Sequence, residues 1–193
     1  LHSFQQVVRE FDINKEWITI FLDSMAMDLQ TVEYNREKFN LYILGSAEVV
    51  GLMCLHVFVQ GDKKQFEELK PYAMKLGAAF QKVNFLRDMK DDYEVLGRNY
   101  FPHIDFNDFT TDLKATIEAE IDADFAEGLA GIKLLPACCK GGVYLAYVYY
   151  YSLFKKIKRL PASRIMEERV RINNTHKFGL MVNSMVQYKM NLL

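Results

Sequence analysis

Apolar residues recur at three- and four-residue steps along most of the chain, the spacing of one face of an α-helix. Residues 14–32 show it first, with Asn14 as a suitable N-cap before an apolar stripe of Trp17, Ile18, Phe21, Leu22, Met25 and Leu29. Residues 35–59 are apolar on nearly every side, which predicts a central buried helix. A short helix near 63–69 and a longer one at about 71–95 follow, with Pro71 in the first turn and Gly97 at the end.

The second half of the chain continues the helical pattern. An acidic helix is predicted at about 110–130, with its acids on a solvated face and a buried stripe of Leu113, Ile117, Ile121, Phe125 and Leu129. Pro136 opens a long, tyrosine-rich apolar helix to about Lys158, a brief connector follows at 161–166, and a last helix spans about 174–190. No repeat or Gly/Ser-rich linker interrupts residues 1–193. The sequence therefore predicts one all-α domain, a bundle of about six to eight helices.

Composition and charge narrow the class of protein. A chain of 193 residues, half of them apolar and a quarter charged, is typical of a soluble globular domain. The formal net charge of −1 argues against a nucleic-acid partner, which normally meets a basic face. Three cysteines lack metal-ligand spacing and no signal peptide is visible, so a reduced, cytoplasmic protein is expected. No run of 18 uncharged apolar residues, P-loop, Gly-x-Gly-x-x-Gly or Gly-x-Ser-x-Gly motif is present.

One polar stripe carries the candidate chemistry. On a helix, Gln81, Asn84, Asp88 and Asp92 fall within an arc of roughly 80°. Two carboxylates one turn apart repel each other unless a cation lies between them, and a hard divalent cation takes oxygen ligands. A solvated helix face is the simpler interpretation of such a pair, and Asp108 and Asp112 repeat the spacing in a polar turn. Two amides aligned with the acids, and Arg87 beside them, favour a cation-binding site over a solvated face.

These residues also resemble a known family. The pattern Q-x-x-N-x-x-R-D-x-x-(D/E)-D followed by G-R-x-Y-(F/L)-P is similar to the second aspartate-rich region of the squalene/phytoene synthases. Here it comprises Gln81, Asn84, Arg87, Asp88, Asp91, Asp92 and residues 97–102. Tyr42, Ala47, Val50 and Gly51 resemble the family's Y-x-x-x-x-A-G-x-V-G, with Glu48 at the position where the family usually has glycine. The resemblance runs from about Ile13 to the C-terminus and is greatest to bacterial phytoene synthases.

The resemblance implies a class I isoprenoid synthase fold with a central cavity. It implies Mg²⁺, with Mn²⁺ as a substitute, held by Asp88, Asp92 and Asn84. It implies catalytic roles for Asp88, Asp92, Tyr42, Arg169 and Tyr150. The implied substrate-binding residues are Gln81, Asn84, Arg87, Arg98, Ala47, Val50 and Gly51. From the residues alone, Arg98 suits either the terminal carbonyls of the preceding helix or a diphosphate.

The implied reaction is head-to-head condensation of two prenyl diphosphates. The closest resemblance favours two geranylgeranyl diphosphates joined to phytoene through a cyclopropyl intermediate, in carotenoid biosynthesis. A squalene or presqualene diphosphate synthase, with NADPH for the squalene-type second step, is one alternative. A class I terpene cyclase and a non-catalytic helical interaction protein are others. An apolar product suggests peripheral contact with the inner face of the membrane; the sequence does not indicate an oligomeric state.

The family's first aspartate-rich motif has no counterpart in residues 1–79. Asp23 and Asp28 are five residues apart and would point to different faces of a helix. We therefore expect that the 193 residues lack the family's N-terminal helices and are inactive by themselves. Asp28, within Met27-Asp28-Leu29, is expected to be a surface or helix-end acid.

Overall fold

A computed structural model describes residues 1–30, 33–102 and 109–190, together with their side chains except that of His176. The described residues form helices and no strands, so the all-α prediction is confirmed. The helices are α1 (His2–Glu10), α2 (Lys15–Met27), α3 (Arg36–Ile43), α4 (Val49–Phe58), α5 (Lys63–Glu94), α6 (Thr111–Leu134), α7 (Ala137–Lys158), α8 (Ala162–Glu167) and α9 (Asn174–Lys189).

The first predicted helix is shorter than its apolar pattern. Asn14 caps α2, because its side chain accepts a hydrogen bond from the Glu16 N–H at 2.9 Å. α2 ends at Met27, and Leu29, assigned to the helical stripe, is 86% exposed. The N-terminal α1, not predicted, buries none of its residues, so no packing pattern marked it.

The predicted buried helix at 35–59 is interrupted by a π-helical turn at Leu44–Glu48, between α3 and α4. Small residues in this turn permit close approach by α2: a Cβ on Gly45 would lie 2.6 Å from the Ser24 Cβ. The whole segment Arg36–Phe58 is long and apolar enough to cross a membrane by length and composition. Its packing against α2 and α5, with Glu48 at its middle, makes it a central helix of this bundle.

The two helices predicted at 63–69 and 71–95 form one helix, α5, with Pro71 in its interior. Proline removes one backbone hydrogen bond, but Phe66 and Leu69 are buried just before it and hold the first turns against the core. Asp62 caps α5 through a 3.0 Å hydrogen bond from the Gln65 N–H. Beyond the C-terminus, Gly97 has a φ of +64°, a left-handed conformation that ends the helix as predicted.

The sequence analysis predicted that the acids of α6 form a solvated face, but the structure shows that some of them are buried in ion pairs. Asp124 is 2% exposed, and its carboxylate accepts hydrogen bonds from the Lys82 and Lys75 ammonium groups at 2.6 and 3.0 Å. Lys82 also pairs with Glu120, which pairs in turn with Arg36. Lysines 75 and 82 lie two turns apart on one face of α5, so the acids of α6 face them instead of water.

The C-terminal helices pack as a pair. α7 begins after Pro136 and ends at Lys158, as predicted, whereas the predicted connector after it contains the short helix α8. α9 runs antiparallel to α7: the Tyr188 hydroxyl donates to the Ala137 carbonyl at 2.9 Å, and the Tyr144 hydroxyl donates to Gln187 at 2.7 Å.

An apolar cavity of about 800 Å³ is lined by residues of the π turn and of α4, α5, α6 and α7. Close helix contacts shape its walls. A Cβ on Gly77 would lie 2.7 Å from the Ala47 carbonyl oxygen, and one on Gly51 would lie 2.8 Å from the Ala73 carbonyl oxygen. α4 and α5 therefore touch backbone to backbone, and the cavity opens beside that contact.

Candidate active site

One face of α5 changes from apolar to polar along its length. Its cavity-lining residues are Leu69, Tyr72, Ala73, Leu76, Gly77, Phe80 and Gln81. The same helical stripe continues into Asn84, Asp88 and Asp92. A ligand lying along this face would meet apolar side chains first and carboxylates at the other end.

The predicted tail-contact residues line the cavity. Ala47, Val50 and Gly51 form part of its wall, together with Ser46. Gln81 lines the same cavity at the end where the polar stripe begins. The Ser46 hydroxyl oxygen is buried and has no hydrogen-bond partner among the described residues, so a polar group remains available in a mainly apolar wall.

Asp88 lies between two arginines. Its carboxylate accepts a hydrogen bond from Arg87 Nε at 3.0 Å and pairs with Arg169 Nε at 2.6 Å. The hydrogen bond to Asp88 is the main cause that raises the pKa of Arg87. Both arginines thus place planar, permanently charged donors beside the first acid, an arrangement suited to phosphate oxygens.

Asp92, one turn further, has no such clamp. Burial, and then the negative charge of Asp88, raise the pKa of its carboxyl to about 6, against the opposing effect of Arg98. Asp92 and Arg98 line a small cleft closed by Phe85, Tyr100 and Phe101. The second acid is therefore held in an environment that disfavours its negative charge.

Asn84 supplies an uncommitted oxygen near the two acids. Its Oδ1 is buried and has no hydrogen-bond partner in the part of the chain that the structure describes, while its Nδ2 lies 3.4 Å from Gln81 Oε1. An unpaired amide oxygen and a carboxylate with a raised pKa are both groups that a divalent cation would stabilise. Among the described residues no cluster of three or more His, Cys, Asp or Glu side chains is placed to hold a metal. Asp88, Asp92 and Asn84 thus have the oxygen donors that suit Mg²⁺, but alone they are an incomplete set of ligands.

Tyr42 belongs to a network that the sequence did not predict. The Tyr42 hydroxyl donates to Asp28 Oδ2 at 2.8 Å, and the Tyr100 hydroxyl donates to Asp28 Oδ1 at 3.0 Å. Arg98 donates to the Asp28 main-chain oxygen at 2.5 Å and lies 3.7 Å from its carboxylate. Burial, followed by the hydrogen bond to Tyr100, raises the pKa of Tyr42. Asp28 ends α2 as expected, but it also joins α2 to the end of α5.

The Arg98 side chain does not bond the terminal carbonyls of α5, and its predicted contact with a diphosphate stays a prediction. Its main-chain N–H donates to the Asp92 carbonyl at 2.8 Å, while its guanidinium reaches across to Asp28. In the sequence, the feature that could have indicated this network is that Tyr42 and Tyr100 each lie within a family-like motif, although the two motifs are distant in sequence.

Tyr150 lies behind the cavity wall. Its ring stacks on the Phe80 ring with centroids 4.1 Å apart, and Phe80 lines the cavity. Tyr149, beside it, carries the Lys177 ammonium over its ring. Tyr150 is therefore joined to the site through an aromatic stack.

The prediction that Asp108 lies in a polar turn concerns a residue outside the described ranges.

Glu48 has the charge partners that its position requires. Burial raises the pKa of its carboxyl, and Lys82 and Lys75 oppose that effect. The π turn places it toward the ion-pair cluster of α5 and α6, while its neighbours Ser46 and Ala47 face the cavity. The carboxylate at the family's glycine position is thus part of a charged cluster between helices.

Comparison with known proteins agrees with this architecture. The squalene/phytoene synthase family matches residues 1–176. A 15-cis-phytoene synthase of a Paracoccus species is 25% identical over 192 residues, covering 93% of this chain and 61% of that enzyme. A presqualene diphosphate synthase of Zymomonas mobilis is 35% identical over 100 residues, covering 51% of this chain and 33% of that enzyme.

A solved structure of a dehydrosqualene synthase in complex with a ligand shares the fold, with a TM-score of 0.71 at 20% identity. The alignment covers 93% of this chain and 67% of that one. The chain therefore spans roughly three-fifths of the length of the Paracoccus phytoene synthase and two-thirds of that of the dehydrosqualene synthase. On the match over 176 consecutive residues, the chain belongs to the squalene/phytoene synthase family.

Proposed function

We propose that the protein of this chain condenses two prenyl diphosphates head to head, and that the product is phytoene. The observation that carries the proposal is the single face of α5, apolar along the cavity and acidic beyond Gln81. A prenyl diphosphate has the same two parts, an apolar tail and an anionic head. The named phytoene synthases among the relatives support this product.

In the proposed reaction the carbon–oxygen bond of one allylic diphosphate breaks. The double bond of the second substrate attacks the released carbon, and a proton leaves as a cyclopropane ring closes. Phytoene then forms when the remaining carbon–oxygen bond breaks, the second diphosphate leaves, the ring opens and a second proton is lost. Arg87 and Arg169 bind the departing diphosphate oxygens with fixed, charged donors. Phe80, stacked on Tyr150, presents ring surface and excludes water from the developing carbocation. Tyr42 keeps its proton, because its pKa is raised, and acts as a hydrogen-bond donor.

Asp88, Asp92 and Asn84 are the residues that would hold Mg²⁺. When bound, the ion supplies Lewis-acid stabilisation of the leaving diphosphate. Two acids and one amide are a partial ligand set, so we expect the 193-residue chain to bind a substrate analogue without condensing it. Residues 81–92 resemble only the family's second acidic motif, and residues 1–79 offer no replacement for the first.

The length of the cavity favours a geranylgeranyl tail. It extends along α5 from Leu69 to Gln81, twelve residues apart, which is about 18 Å at the helical rise per residue. An extended isoprene unit spans roughly 5 Å, from four bonds of about 1.5 Å each. Four units, about 20 Å, span the whole of this stretch, and three units, about 15 Å, span most of it. A farnesyl substrate, used by squalene-type enzymes, is the second candidate, supported by the presqualene diphosphate synthase relative.

The test is calorimetric binding of an unreactive geranylgeranyl thiodiphosphate, with Mg²⁺ and with EDTA. We expect Mg²⁺-dependent binding by the chain and a loss of about tenfold or more in Asp88→Asn, because that variant loses a carboxylate at the metal and the head group. Asp112→Asn is the matched control: it removes the same charge from the exposed first turn of α6, in the other Asp-x-x-x-Asp pair.

Equal affinity of Asp88→Asn and the native chain would reject the assignment of the acidic stripe. Condensation products formed by the 193-residue chain would reject the expectation of binding without turnover. A single cyclised prenyl product would instead indicate a class I terpene cyclase.

A further inference from the structure

Two side chains of α5 that line the cavity, Tyr72 and Leu76, pack on glycines of α6. A Cβ on Gly131 would lie 2.2 Å from the Tyr72 Cβ and 2.9 Å from its Cγ. A Cβ on Gly128 would lie 3.0 Å from the Leu76 Cδ1. The contact at Gly131 is the closer of the two, so the base of the Tyr72 side chain lies directly against the α6 backbone.

The position of α5 is fixed on two sides at this depth of the cavity. On the side of α4, a Cβ on Gly51 would lie 2.8 Å from the carbonyl oxygen of Ala73, the residue after Tyr72. On the side of α6, the buried ion pair of Lys82 with Asp124, at 2.6 Å, fixes the register of the two helices. Because α5 is closely packed against both neighbours, it has no room to withdraw from a ligand. The size of the Tyr72 side chain therefore determines the free width of the cavity here.

Tyr72 lies part of the way along the cavity. It is nine residues from Gln81, where the polar stripe begins, and this separation is about 13.5 Å at the helical rise per residue. Two isoprene units span about 10 Å and three span about 15 Å. A tail of two units that starts at Gln81 ends before Tyr72. A third unit lies beside Tyr72, and a fourth extends beyond it toward Leu69.

We propose that Tyr72, seated on Gly131, determines how many isoprene units the cavity accepts beyond the second. This inference rests on the proposed function, because it names the residue that selects tail length in the same cavity. A larger side chain at this position has no space toward α6 and must add its volume to the cavity. A smaller side chain leaves space for a longer tail. Tyr72 is thus a specificity-determining residue that contacts the tail and lies far from the reacting carbon.

The test is calorimetric binding of unreactive thiodiphosphates with two, three, four and five isoprene units, all with Mg²⁺. The affinity for each longer analogue is divided by the affinity for the geranyl analogue, so that the contribution of the head group cancels. In Tyr72→Trp we expect this ratio to fall at least about tenfold for the four-unit analogue, because the larger ring displaces buried tail carbons. The affinity for the two-unit geranyl analogue should stay unchanged, since that tail ends before Tyr72.

Tyr72→Ala should have the opposite effect. We expect its affinity for the five-unit analogue, relative to the four-unit analogue, to rise at least about fivefold over the native ratio. The matched control is Phe66→Leu, which also removes a ring from α5. Phe66 is buried against Trp17, with ring centroids 5.5 Å apart, and the described lining of the cavity does not include it. Its substitution should leave all the ratios unchanged.

Circular dichroism verifies that each variant is folded. Ratios that stay at the native values in both Tyr72 variants would overturn the inference and leave the proposed function standing. Equal weakening of all four analogues in both variants would show that Tyr72 only packs the helices, and would overturn the inference as well. Failure of the folded native chain to bind any analogue would reject the proposed function and this inference with it.

Discussion

At the scale of single residues, the two acids of the stripe are not equivalent. Asp88 is neutralised by Arg87 and Arg169, while Asp92 carries a pKa raised to about 6 by burial and by Asp88. The folded state therefore binds the Asp92 proton more tightly than the unfolded state, whose value is near 3.8. Ionisation of Asp92 opposes folding, so the stability it contributes is lost as the pH rises through about 6.

This difference predicts that Asp92→Asn stabilises the chain. The gain should be about 1–3 kcal/mol above pH 7 and should vanish below about pH 3, where Asp92 is protonated in both states. Urea unfolding followed by circular dichroism across this range measures it. Asp23→Asn, at an exposed position on α2, is the control and should change stability little at any pH. A destabilised Asp92→Asn variant at neutral pH would contradict the raised pKa.

Much of the acidic site was predictable because it is local. Gln81, Asn84, Asp88 and Asp92 lie on one helix, and helical spacing alone places them on one stripe. Arg169 beside Asp88, and Tyr42 with Tyr100 on Asp28, depend on contacts across 81, 14 and 72 residues of sequence. Spacing provides no information on such contacts, so the resemblance identified Arg169 and Tyr42, while the role of Asp28 became visible only in the structure.

At the scale of helices, most elements followed from apolar periodicity, and the errors have physical causes. Pro71 suggested a helix start, but the buried Phe66 and Leu69 extend α5 past it. The acids of α6 suggested a solvated face, but Lys75 and Lys82 on α5 oppose them. Periodicity identifies which face is apolar; it does not reveal that a neighbouring helix presents matching charges.

The buried pair of Lys82 and Asp124 gives a prediction for the α5–α6 contact. Lys82→Met leaves the buried negative charge of Asp124 with Lys75 as its remaining positive partner. It should lower the free energy of unfolding by about 3 kcal/mol or more. Adding Asp124→Leu should recover much of that loss, because the remaining partners, Lys75 and Glu120, are 44% and 40% exposed and can be hydrated. Chemical denaturation of both single variants and the double variant completes the cycle.

The control for this cycle is Asp122→Asn, on the same helix as Asp124, which breaks the pair between Asp122 and Lys158 of α7. That pair is more than one-third exposed on both sides, so its loss should cost less than about 1 kcal/mol. Additive losses in the Lys82 and Asp124 variants would contradict coupling between the two charges.

The contact between the π turn and α5 gives a second prediction at this scale. Gly77→Ala places a methyl group 2.7 Å from the Ala47 carbonyl oxygen, which must separate the helices and narrow the cavity wall. We expect a loss of about 1–3 kcal/mol in thermal or chemical unfolding. Gly142→Ala is the matched control, because Gly142 also lines the cavity but has open space at its Cβ position. Because alanine has a higher helix propensity than glycine, Gly142→Ala should leave the free energy of unfolding unchanged or slightly higher.

At the scale of the whole molecule, Cys54 and the adjacent pair Cys138 and Cys139, which are distant from it in sequence, report on one cavity. Cys54 from α4, and Cys138 and Cys139 from the start of α7, all line it. Cys138 and Cys139 lie on α7 near Gly131 and Leu135 of α6, away from the acidic end of α5. Their alkylation therefore reports whether the apolar part of a ligand fills the cavity, independently of how its head group binds.

We predict that the geranylgeranyl thiodiphosphate slows alkylation of all three thiols. A geranyl analogue with the same head group should leave Cys138 reactive, because two isoprene units span only about 10 Å of a cavity about 18 Å long. Inorganic diphosphate is the control that occupies the head-group site alone. Labelling must be followed above neutral pH, since burial raises the pKa of the Cys139 thiol to about 11 and also raises that of Cys54. Equal protection by the long and short analogues would mean that the tail does not extend toward α7, and the chain-length argument for a geranylgeranyl substrate would fail with it.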